Sequence, residues 1–326
     1  MIGSTTEKYE PILTPTTHHA ATTLKTVLKN LQSVIPLLTV IWAMQASAGS
    51  DFELELAAGY AWDDNVGLDE LERATGESDQ VTSLEAQGSA LFSFQDLVSF
   101  RLSAGLTDDS YQKFSQVDRR TESIGVNLEA KLGNATIGIN WFDVSADLDS
   151  DPFLTYERLS PYVSGFVSKK WFLRGEYVHG QKTIARRPGR EAESHNASLD
   201  SYYFIQGLKR YAVLGYTFRT DDARANRYDY NSHAVKLRYV HRETVGRLPL
   251  EFEAEGKFED RQYKAEDPMI RAEREDTRWR FSLELRLILN DYASLGLHLK
   301  NSDYDSNLPT ASYSDLVVGT EIRLSF

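Results

Sequence analysis

The sequence predicts an all-β fold: a transmembrane antiparallel up-and-down β-barrel of about 14 strands. Three observations lead to this prediction. Segments of about ten residues alternate apolar and polar side chains along most of the chain. The turns between these segments are short and long in rotation, and the number of segments is even. The chain also ends on an aromatic residue, Phe326, within a strictly alternating stretch.

The end of the chain shows the alternation most clearly. Ile322, Leu324 and Phe326 fall on one parity, and Glu321 and Arg323 fall on the other. A period of two residues is typical of a β-strand with one apolar and one polar face. We therefore expect the apolar parity to contact outer-membrane lipid and the polar parity to face the lumen. Phe326 is expected to be the signal through which barrel-assembly machinery recognises the strand.

The first 48 residues are predicted to be a signal peptide with an N-terminal extension. Their apolar run covers residues 34–44, which is too short to cross a bilayer as a helix. Two lysines precede the run, and small residues at 46–48 follow it as a cleavage site. Cleavage there would leave residues 49–326 as a single barrel domain in the outer membrane of a Gram-negative bacterium.

The composition excludes several classes of protein. The 326 residues contain no cysteine, so thiolate metal sites and disulfides are excluded. Mean hydropathy is negative, which argues against a bundle of membrane helices but allows a barrel with a polar lumen. The formal net charge of -12 argues against nucleic acid as a partner, because phosphate binding requires a basic surface. No cofactor is predicted.

In the first half of the predicted domain, six segments show strand character. They lie near residues 52–62, 81–94, 98–106, 124–132, 137–141 and 154–168. Tight turns are predicted at Gln95-Asp96 and Gly133-Asn134, and long polar loops at 63–79 and 107–120. The sixth segment has no clear parity, and Pro161 lies within it.

In the second half, eight further segments continue the alternation of apolar and polar side chains. They lie near residues 171–177, 192–206, 212–218, 235–239, 250–258, 279–289, 295–299 and 318–326. The total is fourteen, with twelve or sixteen as alternatives, and both ends of the barrel lie on the side of the short turns. A soluble β-helix or sandwich is the competing fold, but it requires neither an even strand count nor unequal loops.

The same parity assigns a set of charged residues to the lumen. They are Glu251, Glu253, Glu255, Lys257 and Glu259 on one strand, Arg278, Arg280, Glu284 and Arg286 on the next, and Glu321 and Arg323 on the last. Opposite charges are expected to face one another across the first two of these strands. A water-filled lumen lined in this way would sort solutes by charge. The alternative is that any wide barrel balances the charges of its wet interior.

Two local trios contain the residue types of a hydrolase, Ser194-His195-Asn196 and Asn231-Ser232-His233. Nucleophilic catalysis requires a base in hydrogen-bond contact with the hydroxyl and a third group that orients the base. Adjacency in sequence does not establish that geometry, so no catalytic residue is assigned. An outer-membrane hydrolase is therefore the third functional hypothesis. No metal site is assigned.

Two short motifs resemble a known family. Asp64 and Asn65 lie in YAWDDNV, which resembles the aromatic-x-x-Asp-x-Asn-Val signature of the family's opening strand. The stretch DYDSNLP resembles the family's last hairpin and contains Asp305, Ser306, Asn307 and Pro309. The family is the surface lipoprotein assembly modifiers, whose C-terminal half is a fourteen-stranded outer-membrane barrel.

The resemblance implies export of surface lipoproteins or other proteins through or beside the barrel, with a lipoprotein as client. Family members usually carry a periplasmic helical-repeat domain before the barrel. Here only residues 49–51 separate the predicted cleavage site from the first strand. The residues themselves leave a second function open, a porin for passive diffusion of small charged solutes. A porin is expected to conduct steadily, whereas a client-dependent conduit is expected to be silent.

Overall fold

The computed structural model describes residues 50–95 and 97–326. The predicted signal peptide and Asp96 of the first predicted tight turn lie outside these residues. Within the described part, fourteen antiparallel strands form one closed barrel, in which each strand pairs with its sequence neighbours and the first pairs with the last. The predicted fold class and strand number are confirmed.

The barrel strands are labelled β1 to β14 in chain order. They are β1 Ser50–Asp63, β2 Asp79–Phe94, β3 Val98–Tyr111, β4 Arg119–Leu132, β5 Ala135–Leu148, β6 Asp151–Phe166, β7 Trp171–Ile184, β8 Ala192–Gln206, β9 Arg210–Ala223, β10 Tyr230–Val245, β11 Leu248–Asp267, β12 Ala272–Asn290, β13 Ala293–Ser306 and β14 Tyr313–Ser325. Single-turn 3-10 helices lie in the loops at Asp69–Leu71, Ser115–Val117, Pro188–Arg190, Asn226–Tyr228 and Pro309–Ala311. None of the helices in the described part is long and apolar enough to cross a membrane.

The loops differ between the two ends of the barrel. We call the end that carries the β1–β2 loop the long-loop end, and the opposite end the short-turn end. The β1–β2 loop covers residues 64–78 and contains a small hairpin of Gly67–Leu68 with Arg73–Ala74. Short and long connections were predicted to alternate, and this is wrong between β5 and β6. These two strands are joined at the long-loop end by a short turn of only two residues, Asp149 and Ser150. Both residues have positive φ, 47° and 68°, which matches a two-residue turn to the twist of its strands.

The two faces of the strands differ in chemistry, as β12 illustrates. Trp279, Phe281 and Leu285 are exposed on its outer face, whereas Arg278 on the inner face is only 5% exposed. Closure of the barrel separates the outside from the lumen, so each parity meets one environment only. Other strands continue this exposed apolar band with Leu128, Ile139, Leu199, Leu214, Leu237, Leu297 and Ile322. Such a band is the surface that lipid covers in membrane barrels.

Phe326 contributes to barrel closure. Its N–H donates to the carbonyl of Leu54 over 2.9 Å, and the N–H of Leu54 donates to the carbonyl of Phe326 over 3.0 Å. The ring lies 6.3 Å from the ring of Tyr292 in the turn between β12 and β13. These contacts help to pair the two chain-terminal strands, which would otherwise be open sheet edges. Recognition of Phe326 by assembly machinery stays a prediction.

Pro161 lies inside β6, where the sequence shows no clear parity. It pairs with Ile139 of β5, while the ladder between β6 and β7 is interrupted at Ser160 and Pro161. Proline lacks the N–H that a second ladder requires. The following residue, Tyr162, lies over Gly138, where a Cβ atom would come within 2.6 Å of Tyr162 Cε1. Because glycine has no side chain, Gly138 leaves room for the ring of Tyr162.

Candidate functional site

The β1–β2 loop is fixed to the barrel where it leaves β1. The N–H of Asp64 donates to the carbonyl of Leu316 over 3.1 Å, and the N–H of Leu316 donates to the Asp64 carboxylate over 2.6 Å. The side chain of Asn65 donates to the carbonyl of Ser314 over 2.6 Å and accepts from the N–H of Gly76 over 2.8 Å. The first family-like motif thus fastens the two ends of the loop to β14.

Glu72 is the residue of this loop that contacts the inner wall most closely. Arg274 Nη1 donates to Glu72 Oε2 over 2.8 Å, and Arg278 Nη2 donates to Glu72 Oε1 over 2.7 Å. Tyr263 Oη donates to the same Oε1 atom over 3.1 Å. The backbone of Glu72 has a φ of 54°, a left-handed conformation that costs a non-glycine residue free energy. The contacts of its carboxylate hold it in this conformation.

Two further guanidinium groups complete the surroundings of Glu72. Arg190 of the β7–β8 loop lies 3.3 Å from its carboxylate, and Arg261 of β11 lies 3.7 Å from it. We call Arg190, Arg261, Arg274 and Arg278 the arginine cluster. The cluster brings the β7–β8 loop together with the consecutive strands β11 and β12, which lie far from that loop in the sequence. Glu72 is the carboxylate that all four arginines share.

Asp276 supplies the cluster with a second carboxylate. Arg274 donates to it from Nε and Nη2, both over 2.7 Å, and Arg278 Nη2 donates to it over 2.9 Å. The side chains of Arg274, Arg278 and Asp276 are all 5% exposed or less. Charges buried to this extent are stable only when they are paired and hydrogen-bonded. The geometry meets both conditions.

The charge state of Glu72 follows from this environment. Burial acts to raise the pKa of its carboxyl group, but the positive charges of Arg274, Arg278 and Arg190 outweigh burial. They hold the pKa of Glu72 well below its ordinary value of 4.5. Glu72 is therefore ionised at any pH near neutrality.

Asp69 and Glu70 attach the same loop at other points of the wall. Asp69 accepts hydrogen bonds from Tyr313 Oη over 2.9 Å and from Tyr304 Oη over 3.3 Å. Glu70 lies 3.8 Å from Arg119, at the start of β4. In the barrel order, β4 lies seven strands from β11, the strand that contributes Arg261 to the cluster. Contacts to opposite sides of a fourteen-stranded barrel mean that the loop spans the lumen.

A cavity of about 240 Å³ remains between the loop and the wall. Its basic lining residues are Lys182, Arg190, Arg219, Arg261, Arg278 and Arg280, and its acidic ones are Asp69, Glu70, Glu72 and Asp221. Each acidic group has a basic partner: Asp69 pairs with Arg280, Glu70 with Arg119, Glu72 with the arginine cluster and Asp221 with Arg219. Lys182 makes no salt bridge within the described residues. Among the lining residues, basic groups therefore outnumber acidic ones by six to four, and this balance favours anions.

No protein-family model matches the sequence, and no curated protein matches it. Solved structures do match. An anion-selective porin from Comamonas acidovorans aligns with a TM-score of 0.52 at 9% identity, over 85% of this chain and 99% of the porin. OmpT, expressed in the outer membrane of Vibrio cholerae, aligns with a TM-score of 0.51 at 9% identity, over 86% of this chain and 99% of OmpT. This chain has the fold of an outer-membrane β-barrel. Identities this low establish the fold and not the activity. These matches do not show the resemblance to the surface lipoprotein assembly modifiers.

The predicted lumen residues of this outer-membrane β-barrel occupy two levels. Arg278 and Arg280 lie at the long-loop end and belong to the site. Lys257 and Glu259 lie directly opposite them in the ladder, and Glu259 also accepts a hydrogen bond from Arg261 Nε over 2.7 Å. The other predicted charges lie further toward the short-turn end, and most of the set pairs with a nearby opposite charge. These pairs are Glu251 with Arg242, Glu253 with Arg238, Lys257 with Glu259, Glu284 with Arg286, and Arg323 with both Glu321 and Glu55. Glu255 makes no salt bridge within the described part. That these side chains line an open pore stays a prediction.

The expected pairing of opposite charges across β11 and β12 is wrong at two positions. Glu253 lies opposite Glu284, and Lys257 lies opposite Arg280. Among the predicted residues, Glu251 opposite Arg286 and Glu259 opposite Arg278 combine opposite charges, and Arg261 opposite Asp276 adds a third pair. Glu253, Glu284 and Lys257 pair with residues two positions along the same strand or on the next strand, because side chains on one face reach both. Arg280 pairs with Asp69 of the β1–β2 loop.

The second family-like motif shapes the β13–β14 loop. The side chain of Asn307 accepts from the N–H of Glu275 over 3.0 Å and donates to the carbonyl of Glu273 over 2.9 Å. Ser306 Oγ accepts from the N–H of Leu308 over 3.1 Å. Pro309 begins a single helical turn, and Asp305 lies opposite Thr277 in the β12–β13 ladder. The motif therefore positions a loop at the rim of the barrel.

The two hydrolase-like trios do not assemble as a nucleophile and base. Ser194 and Ser232 are buried, with 3% and 2% of their surface exposed. His195 and His233 point to the outer face, where they contact Tyr177 and Tyr216. Neighbouring residues of a strand point to opposite faces. Each serine is therefore separated from its adjacent histidine by the barrel wall.

Sequence reasoning missed Glu72, Arg261, Arg274 and Asp276. Two signals were present: the acidic residues at 69–72 within a loop, and the alternation of basic and acidic residues at 271–278. Neither signal predicts that the two segments contact each other, because they lie about 200 positions apart in the sequence. Only closure of the barrel places them at the same end.

Proposed function

We propose that this protein is a non-enzymatic, porin-type channel for small anionic solutes, with the β1–β2 loop as its constriction. The observation that carries the proposal is the contact of Glu72 with the arginine cluster. That contact holds the loop inside the lumen and leaves a cavity with excess positive charge beside it. A folded-in loop narrows the path of a solute without closing the barrel wall.

The chemistry of the cavity favours anions. Guanidinium groups bind carboxylates and phosphates through two parallel hydrogen bonds, and they remain charged at any pH of interest. Arg280 lies at 36% side-chain exposure beside the cavity, and Lys182 lines it without a salt bridge in the described residues. Rings of basic side chains select anions in channels, because they lower the energy of the anion along its path.

Export of lipoproteins, which the family resemblance implies, remains an alternative hypothesis. A polypeptide client would require the β1–β2 loop to leave the lumen and to break the contacts of Glu72, Asp69 and Glu70. No observation in the described residues favours that movement. Passive diffusion of small solutes requires no such change, so it is the function that the geometry supports best.

Planar-bilayer recording tests the proposal. The purified protein is expected to give steady single-channel currents. In a potassium chloride gradient, the reversal potential is expected to show preference for chloride. A silent barrel would favour a client-dependent conduit, and a conducting barrel that prefers potassium would contradict the role given to the basic cavity.

A further inference from the structure

A cluster of metal-ligating side chains lies on the outer face of the barrel, away from the lumen site. His179 of β7 and His195 of β8 are directly opposite one another in the strand ladder. Glu193 lies two positions before His195 and therefore on the same face. The ligand atoms of these three residues all lie within 4.8 Å of one another, the only such group of histidine and carboxylate in the described part.

Two of the three distances within the cluster match those of a metal site. Glu193 Oε1 lies 3.5 Å from His179 Nδ1 and 3.4 Å from His195 Nε2. In a tetrahedral zinc site with bonds near 2.1 Å, two ligand atoms are about 3.4 Å apart. An ion can therefore bind between the three atoms with little movement of the strands. The two imidazole rings are 5.1 Å apart between centroids, which leaves room for it.

Tyr177 orients the His195 ring. Its hydroxyl lies 2.6 Å from His195 Nδ1. In the tautomer that keeps Nε2 free, Nδ1–H donates to Tyr177 Oη, and the lone pair of Nε2 points toward Glu193. Metal-binding histidines usually have this arrangement, in which the second ring nitrogen is held by another polar group. The ring is thus fixed in the orientation that a metal ion requires.

The cluster is open to ligands from outside. Tyr177 and Leu199 of the apolar band are 46% and 52% exposed on the same face. The three polar side chains follow them toward the long-loop end, with exposures of 34% for His179, 52% for Glu193 and 36% for His195. Three protein ligands leave a fourth tetrahedral position for water or another ligand.

We propose that His179, Glu193 and His195 bind a divalent transition-metal ion, with Zn²⁺ as the representative, at the outer rim of the barrel. Two imidazoles and one carboxylate suit Zn²⁺, Ni²⁺ and Cu²⁺, whereas Ca²⁺ and Mg²⁺ prefer oxygen ligands only. Because the ligands come from two paired strands, the ion links β7 to β8. The site is on the opposite side of the wall from the lumen, so occupancy does not alter conduction.

Isothermal titration with zinc chloride tests the site on purified protein in detergent, made without a polyhistidine tag. One ion is expected to bind per chain through this site. H179Q and H195Q are each expected to remove that binding event, and Y177F is expected to weaken it about tenfold, as for other groups that orient a ligand. Cobalt chloride should give the visible absorption of a tetrahedral site in the wild type and not in H195Q.

His233 provides a matched control. Its Nδ1 atom lies 2.7 Å from Tyr216 Oη, which repeats the contact of His195. Asp260 lies opposite His233 in the strand ladder, but no group of three possible ligands forms there in the described part of the chain. H233Q should therefore bind zinc as the wild type does, and single-channel conductance should be the same in all four variants and show that each has folded. Absence of zinc binding by the wild type, or binding that survives in both H179Q and H195Q, would overturn the proposal.

Discussion

Arg274 Nη1 donates a hydrogen bond to Glu72 Oε2 over 2.8 Å, across 202 positions of the sequence. The side chain of Arg274 is 3% exposed and that of Glu72 is 10% exposed. The contact joins the β1–β2 loop to the inner wall of the barrel, so that the loop lies within the lumen. Removing one partner of such a pair leaves the other charge buried without compensation, which is costly.

The first prediction concerns the contact that holds the β1–β2 loop inside the lumen. E72Q removes the charge that the arginine cluster shares, and it should weaken docking of the loop by roughly 3 kcal/mol. We expect a larger single-channel conductance, a stronger preference for chloride and faster proteolysis within residues 64–78. Glu77 is exposed in the same loop, so E77Q serves as the control. Equal conductance of E72Q and wild type would show that Glu72 does not hold a constriction.

The second prediction concerns pH. The pKa of Glu72 is held below its ordinary value of 4.5, so its contribution to docking is complete above that value. The contribution is lost only as the pH falls through the lower pKa of the folded state. Wild-type conductance should therefore be unchanged from about pH 8 to about pH 5 and should rise only in stronger acid. A rise between pH 7 and pH 5 would contradict the charge state assigned to Glu72.

The third prediction concerns ion selectivity. Arg280 Nε donates to Tyr304 Oη over 2.7 Å, and the guanidinium group lines the basic cavity. R280E replaces a positive charge with a negative one and should shift the reversal potential toward potassium. Lys169 is exposed in a turn at the short-turn end, so K169E provides the same change of charge away from the cavity. Unchanged selectivity in a conducting R280E barrel would place Arg280 outside the ion path.

The fourth prediction concerns packing inside the barrel. G138A places a methyl group where the Tyr162 ring lies and should displace the tyrosine from its hydrogen bonds with Asn127 and Glu129. Overpacking of this kind typically costs about 1–3 kcal/mol, to be measured by denaturant unfolding in lipid or detergent. Gly256 has open space at its Cβ position, so G256A should change the stability far less. Similar losses in the two variants would indicate a backbone effect instead of a clash.

The N-terminal prediction, cleavage after Ala48, rests on the sequence alone. N-terminal sequencing of the protein extracted from outer membranes would identify the first residue, which we expect to be Gly49. A different start would move the boundary of the barrel domain.

The sequence by itself determined the barrel. The alternation of Ile322, Leu324 and Phe326 with Glu321 and Arg323 assigns each parity to one face, because successive side chains of a strand point in opposite directions. That rule is local, so it can be applied segment by segment, and it yielded the fold class and the number of strands. It also placed Arg278 and Arg280 on the inner face.

The tertiary structure alone decided what meets in the lumen. Glu72 contacts Arg274 and Arg278, and Lys257 lies opposite Arg280, only because closure and register fix which strands and loops share a level of the barrel. Likewise, His179 and His195 become neighbours through the register of β7 with β8. Contacts between distant segments depend on the pairing of the whole sheet, and a local periodicity of two residues does not encode that pairing.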